Sequence, residues 1–334
     1  FMEKYDRHIF KAPQMEAMEI TADMVKAAFR KGGKSAAGMD GWEPEELSLF
    51  SDAACSWTAR MYQLIEDGAD WPQGTQYAKA AFLEKEGAKP GEVMSYRVLL
   101  IMSAVNRKWG SMRLQSMEGW INQLQLPEMY AGAGKQGAED AWYQTMIDLE
   151  YLQLEGTAYC GGTADIMKFF DQILRPLVYE LLRVAGMPAP ILDAYKRFQE
   201  GLKVHNSLAG SIGHPYFRNC SIPQGCPLSM MVVAIMMRPW ICMLKEMGVE
   251  PKVLADDVLI IAQGKRMLNK LARALNSTHM YLQAMGAKVA PTTSFNFAST
   301  NVGREWLDKT WWNAIEDKIP VLKDFRYLGA HLNT

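Results

Sequence analysis

Two adjacent acidic residues, Asp256 and Asp257, interrupt an apolar, β-branched stretch that runs from residue 253 to 261. Pro251 and Gly264 flank it. The pattern predicts two short buried strands that meet at a tight turn, with both acids at the tip. Two carboxylates about 4 Å apart repel each other by about 4 kcal/mol at an effective dielectric constant near 20. The pair therefore predicts either a bound hard cation such as Mg²⁺ or a solvated turn, in which Asp is common.

Two further segments favour the cation. Residues 163–173 read TADIMKFFDQI and contain Asp165, and residues 221–229 read SIPQGCPLS. In chain order, the three segments resemble the successive motifs of reverse transcriptases, most closely the polymerases of non-LTR retrotransposons and next those of group II introns. Each motif alone is weak, but three in the right order and at workable spacings are strong evidence.

Composition sets broad limits on the class of protein. With 334 residues, 49% hydrophobic and 22% charged, the chain predicts a globular protein of one or two domains. Five cysteines, without a Cys-x-x-Cys pair, argue against a disulfide framework and a zinc ribbon. They are typical of a reducing, intracellular compartment, nucleus or cytoplasm, rather than secretion. The longest apolar run, 228–237, is too short to span a bilayer, so no membrane contact is expected.

Charge is distributed unevenly along the chain. The net charge of −1 predicts modest affinity for nucleic acid. Residues 79–113 nevertheless hold seven basic and three acidic residues, whereas residues 114–160 hold seven acids and one lysine. The basic block is either a solvated face, which is the usual reason for such a cluster, or a nucleic-acid contact.

The resemblance covers roughly residues 34 to 329 and implies an α+β, right-hand polymerase fold, with fingers and an antiparallel palm sheet backed by helices. The segments it implies are an N-terminal extension (1–33), fingers (34–160), a first part of the palm (161–204), a fingers–palm hairpin (205–220) and a second part of the palm (221–334). The chain begins with Phe1 and ends five residues after Gly329. We therefore expect a piece of a longer polyprotein, with thumb and endonuclease domains elsewhere and weak primer–template binding by this piece.

The resemblance also implies a two-metal nucleotidyl transfer that extends a DNA primer with dNTPs on an RNA template. The expected metal ligands, for two Mg²⁺ or possible Mn²⁺ ions, are the carboxylates of Asp165, Asp256 and Asp257 and the backbone carbonyl of Ile166. The expected nucleotide-binding residues are Lys85, Arg97, Phe170, Gln224 and Gly225. Phe170, five residues after Asp165, would exclude a 2′-hydroxyl, and one of Phe169 and Phe170 would pack in the core instead.

Three positions depart from the family pattern. Val98 replaces a proline, which changes local rigidity more than chemistry. Leu254 stands where Tyr or Phe usually precedes Ala-Asp-Asp, and Thr293 replaces a lysine after the Gly286 turn. Leu254 and Thr293 keep open a decayed mobile element or a catalytically silent, RNA-binding scaffold. An RNA virus replicase is a further alternative, which the Gln224–Gly225 loop and Ala255 argue against.

Overall fold

The computed structural model describes residues 1–31, 34–85, 92, 95–132, 136–208, 210–328 and 330–333. Its α-helices are α1 Met2–Tyr5, α2 Ala22–Arg30, α3 Pro44–Leu47, α4 Asp52–Glu66, α5 Ala104–Ser116, α6 Glu118–Leu124, α7 Ala138–Leu154, α8 Phe169–Gln172, α9 Arg175–Val184, α10 Ala189–Gly201, α11 Ser229–Glu246, α12 Met267–Ala284 and α13 Asn301–Lys309. Its strands are β1 Tyr77–Glu84, β2 Tyr96–Ile101, β3 Tyr159–Thr163, β4 Lys203–Leu208, β5 Ser211–Ile212, β6 Tyr216–Phe217, β7 Glu250–Leu254, β8 Asp257–Gln263, β9 Asn296–Ala298, β10 Asp324–Tyr327 and β11 Ala330–Asn333.

The chain divides into two compact units. The first unit contains residues 1–11, 121–181 and 230–334, and the second contains residues 12–120 and 182–229. The predicted boundaries of fingers and palm stay a prediction. The predicted α+β class is confirmed, with antiparallel sheets and helices in the same chain.

The first unit is built on a four-stranded antiparallel sheet in the order β7-β8-β3-β9. Helix α12 packs on β3 and β8. The β10–β11 hairpin adds Phe325, whose ring stacks on Phe297 of β9 with centroids 4.7 Å apart. Strand β7 contains Pro251, which the sequence placed outside the strand. Proline is tolerated there because β7 is the end strand in this sheet order.

Gly161 lies in the middle of β3, between Ile261 of β8 and Phe297 of β9. A methyl group at this position would come within 2.2 Å of the Phe297 ring and 2.7 Å of the Ile260 carbonyl oxygen. The glycine therefore lets a large aromatic ring cover the centre of the sheet.

Gly161→Ala is expected to lower the free energy of unfolding by about 1–3 kcal/mol, because the added methyl overpacks a filled core. Urea denaturation measures it. Gly119→Ala is the control, because a methyl group at Gly119 meets no atom within 4 Å. Equal midpoints for the two variants would contradict the close packing of Phe297 on β3.

The second unit has a five-stranded sheet in the order β2-β1-β4-β5, with β6 also paired to β4. Strands β1 and β2 are antiparallel, and β1 pairs with β4 in parallel. Helix α2 contacts α4 and α5. Thr21 is the N-cap of α2, since its hydroxyl accepts a hydrogen bond from the Met24 amide.

A buried ion pair lies in the second unit. The Glu66 carboxylate accepts hydrogen bonds from Trp109 Nε1 at 2.8 Å and from Arg113 Nε at 2.7 Å. Arg113 Nη2 pairs with the other carboxylate oxygen, and Arg113 Nη1 donates to the Met18 carbonyl at 2.8 Å. Both charged side chains are fully buried, so each depends on its partners for the interactions that water would otherwise supply.

Helix α11 continues through Pro239, although the apolar run of the sequence ends there. Most of the helix is buried. The Tyr281 hydroxyl donates to the Met236 carbonyl, one turn before the proline, at 2.5 Å. None of the helices in the described part of the chain combines the length and apolar character needed to cross a lipid bilayer.

Candidate active site

The first aspartate, Asp165, lies two residues beyond the end of β3. A turn from Ala290 to Ser294 holds it. The Asp165 amide donates to Ser294 Oγ at 2.9 Å, and the Ala290 amide donates to the Asp165 carbonyl at 2.8 Å. The Thr293 hydroxyl donates to Asp165 Oδ2. The turn therefore fixes both the backbone and the carboxylate of Asp165.

The second and third aspartates occupy the predicted hairpin. Strands β7 and β8 pair through Leu254 and Asp257, so that Ala255 and Asp256 form a two-residue turn. Ala255 has a φ of 56°, a conformation that side chains other than glycine adopt at a cost of about 1–2 kcal/mol. The prediction of two buried strands with the acids at their junction is confirmed, with Asp257 as the first residue of β8.

One cleft of about 270 Å³ brings Asp165 and Asp257 together. Its other lining residues are Thr163, Ala164, Val258, Thr293, Phe295, Arg326, Tyr327 and Leu328. Asp256 is not among the lining residues that the structure describes. Within the described residues, no group of three or more His, Cys, Asp or Glu side chains is arranged to hold one metal ion.

The cleft carries concentrated negative charge. The pKa of Asp257 is raised to about 6, mainly by its partial burial and in addition by the charges of Asp256 and Asp165. Burial also raises the pKa of Tyr327, with a contribution from Asp257. Carboxylates that disfavour one another's ionised form suit a hard cation, and Mg²⁺ is commonly bound by one or two carboxylates together with substrate phosphates.

Two further predicted residues lie beyond Asp165. Ile166 is buried and its backbone pairs with Val289 in an isolated antiparallel bridge. Phe169 and Phe170 belong to the short helix α8 and meet edge to face, with centroids 5.7 Å apart. Phe169 is buried, whereas Phe170 keeps part of its surface accessible. Of the two rings, Phe169 is the one that packs in the core.

The remaining predicted residues belong to the second unit. Arg97 of β2 is exposed and pairs across the ladder with Leu83 of β1. Lys85 is exposed directly after β1, and its amide donates to the Ser95 carbonyl at 3.0 Å. None of the described contacts joins their side chains to a carboxylate.

The Gln224–Gly225 loop packs against β2, the strand that carries Arg97. The Leu100 amide donates to the Gln224 carbonyl at 3.0 Å. Gly225 has a φ of 118°, and a methyl group there would lie 2.8 Å from the Leu100 carbonyl oxygen. Both the conformation and the close approach require glycine, which gives a physical reason for Gln-Gly in this loop.

Two residues of the cleft were not singled out from the sequence as site residues. Arg326 of β10 lines the cleft and supplies a positive charge near Asp165 and Asp257. The alternation of Phe325, Arg326 and Tyr327 signals a strand with Arg326 on its other face, but it does not indicate what that face meets. Thr293 was noted only as a departure from the family, whereas the structure places its hydroxyl on Asp165.

The sheet of the first unit therefore presents aspartates at a hairpin tip and just beyond a strand end. Residues 84–332 match the family model described as reverse transcriptase (RNA-dependent DNA polymerase). The match covers most of the chain, so this chain belongs to the reverse transcriptase family.

Relatives and solved structures are consistent with that membership. The chain is 21% identical over 333 residues to the "Transposon TX1 uncharacterized 149 kDa protein" of Xenopus laevis, covering 94% of this chain and 24% of that protein. It therefore spans about a quarter of that relative's length. It also shares its fold with an apo telomerase of Candida tropicalis truncated from the C-terminal domain, with a TM-score of 0.54 and 14% identity, over 79% of this chain and 54% of that one.

Proposed function

We propose that this reverse transcriptase domain extends the 3′-hydroxyl of a DNA primer with dNTPs on an RNA template, as part of a longer retroelement protein. The observation that carries the proposal is the convergence of Asp165 and Asp257 on one cleft, with Asp256 in the adjoining turn. The membership of the family and the likeness to a transposon protein support it.

In this proposal, the carboxylates of Asp165, Asp256 and Asp257 and the Ile166 carbonyl hold two divalent cations. Bound Mg²⁺ would supply charge neutralisation and a lower pKa for the attacking hydroxyl. The three carboxylates would be the anionic ligands of these cations. Thr293 holds the Asp165 carboxylate in one orientation through its hydrogen bond to Oδ2.

The proposed nucleotide contacts follow from the chemistry of the predicted residues. The guanidinium of Arg97 suits bidentate contact with triphosphate oxygens, and Lys85 offers a second positive charge. Gln224 and Gly225 are proposed to line the pocket for the nucleotide and the templating base. The accessible ring of Phe170 is proposed to pack against the sugar.

Primer extension on RNA and DNA templates, with dNTPs and with rNTPs, tests the proposal. Incorporation of dNTPs on an RNA template is expected, and Mg²⁺ or Mn²⁺ should be required. Incorporation of rNTPs alone would indicate a replicase. RNA binding without any incorporation would favour the silent scaffold, for which Leu254 and Thr293 are the motivating departures.

Thr293→Val is expected to lower kcat about 10- to 150-fold, since a hydrogen bond to a charged group contributes about 1.5–3 kcal/mol. The substitution keeps the shape of the side chain and removes its donor. KM for the primer should stay unchanged, whereas the Mg²⁺ concentration for half-maximal rate should rise. Thr293→Ser, which keeps the hydroxyl, is the control. A loss of activity equal in both variants would contradict this role for the hydroxyl.

Phe170→Ala is expected to raise the incorporation of ribonucleotides relative to deoxynucleotides, because the ring would no longer meet a 2′-hydroxyl. Parallel single-nucleotide extension with dATP and ATP measures the ratio. Phe169→Leu, at the buried neighbour, should leave the ratio unchanged. An unaltered ratio in Phe170→Ala would assign Phe170 to packing.

A further inference from the structure

A cavity of about 530 Å³ in the second unit lies apart from the aspartates and is lined by helices α2 and α5 and the residues around them. We call it the α2–α5 pocket. Its described lining residues are Ala28, Lys31, Lys34, Ser35, Pro44, Ala104, Arg107, Lys108, Ser111, Met112, Gln115 and Pro227. Four of them are cations and none of them carries a carboxylate, so the described lining favours an anion.

Two of the cations are fixed by backbone carbonyl groups. Lys108 Nζ donates to the carbonyls of Ala28 at 3.0 Å and Phe29 at 3.3 Å, in the last turn of α2. Arg107 Nη1 donates to Ser35 Oγ at 2.8 Å and Nη2 donates to the Ala36 carbonyl at 2.6 Å. Their charges therefore stay at the pocket as part of the structure, and Lys108 offsets the negative end of the α2 dipole.

The other two cations are exposed at the pocket. Lys31 follows the last residue of α2, and its Nζ lies 3.0 Å from Gln115 Oε1. Lys34 is also exposed. One described acid, Asp40, interacts electrostatically with Arg107, and its carboxylate accepts a hydrogen bond from the Ser103 hydroxyl. Lys31 and Lys34 form no ion pair with a carboxylate among the described residues, so their charges are available to an anionic ligand, although Lys31 also donates to Gln115.

The rest of the lining indicates which anion the pocket suits. Ser111 and Gln115 lie on the same face of α5 as Arg107, four and eight residues further on, and offer uncharged hydrogen-bonding groups. The remaining lining is apolar and comes from Ala28, Pro44, Ala104, Met112 and Pro227. The volume is in the range of about 300–1,000 Å³ that is typical of small-ligand sites. Cations beside an apolar wall suit a phosphate ester with its sugar or base, more than a bare inorganic ion.

We propose that the α2–α5 pocket binds a phosphate ester of a single-stranded RNA, and that Lys31 and Lys34 contact its phosphates. The inference rests on the proposed function for the choice of RNA, since a domain that copies RNA must hold a strand of it. A free nucleotide carries the same phosphate ester chemistry. The two sources differ in that only a strand offers several phosphates to neighbouring lysines.

Binding of a short fluorescein-labelled single-stranded RNA, followed by fluorescence anisotropy over a range of salt concentrations, tests the proposal. The double variant Lys31→Ala/Lys34→Ala is expected to bind about 10-fold more weakly at low salt. Its slope of log K against log salt should be shallower by about 1.4, because each phosphate contact on a single strand contributes about 0.7. Lys265→Ala/Lys309→Ala changes the net charge equally at two exposed lysines of the first unit and should bind as the unaltered chain does.

Three results would overturn the proposal. The first is equal affinity for RNA in the two double variants, and the second is an unchanged salt slope in Lys31→Ala/Lys34→Ala. The third is that Lys31→Ala/Lys34→Ala no longer binds dATP but still binds RNA. The measurement needs no polymerisation, so failure of the proposed catalytic function leaves it interpretable. Conversely, Asp165→Asn should lose primer extension and still bind RNA. That result would show that RNA binding at the pocket does not depend on the catalytic cleft.

Discussion

Asp165→Asn is expected to lower the rate of primer extension by about 1,000-fold or more, because removing several kcal/mol of charge stabilisation at the reacting phosphate has that effect. Asp165 lines the cleft with Asp257, and its orientation is set by three hydrogen bonds from one turn. The amide keeps the size of the side chain and removes the charge. Single-turnover extension at saturating Mg²⁺ measures the loss, and Asp256→Asn should show a loss of the same kind.

Asp308→Asn is the matched control, since this exposed acid of α13 lies outside the cleft. Circular dichroism should show that both proteins remain folded. Asp165→Asn, unlike the control, should also reduce the stabilisation of the chain by Mg²⁺ in thermal denaturation. This measurement reports cation binding without catalysis. Undiminished extension by Asp165→Asn or Asp256→Asn would refute the assignment of the site.

The second large effect concerns the stability of the second unit. Glu66→Leu is expected to lower the free energy of unfolding by about 3–5 kcal/mol, because it leaves the charge of Arg113 buried without its partner. The loss includes the hydrogen bond from Trp109. The double variant Glu66→Leu/Arg113→Met should recover much of this stability, since two apolar side chains of similar volume need no compensation.

Urea denaturation measures both changes, provided that the slope of the unfolding free energy against urea concentration is the same in all variants. The exposed pair of Lys26 and Asp52 gives the comparison, and Asp52→Asn should have a much smaller effect because water already surrounds that carboxylate. A double variant that is less stable than Glu66→Leu would contradict the explanation, since it would assign the stability to the ion pair itself.

Local pattern was sufficient for many elements of the fold. The apolar stretch that Asp256 and Asp257 interrupt predicted the β7–β8 hairpin, and Thr21 is a residue type that commonly caps a helix such as α2. These elements depend on interactions between residues close in sequence, such as a cap or a two-residue turn. The local signal was incomplete where an element packs against residues distant in sequence. Helix α11 continues through Pro239, and most of this helix is buried.

The sequence by itself determined the candidate groups of the site, which are three carboxylates and a Gln-Gly loop in ordered motifs, and the resemblance to a polymerase family. Only the tertiary structure decided which of these groups meet. It brought Asp165 and Asp257 to one cleft, added Arg326, and placed the Thr293 hydroxyl on Asp165 across 128 residues of sequence. Such contacts join segments whose local preferences carry no information about one another, because burial and hydrogen bonding between strands and turns that are distant in sequence fix them.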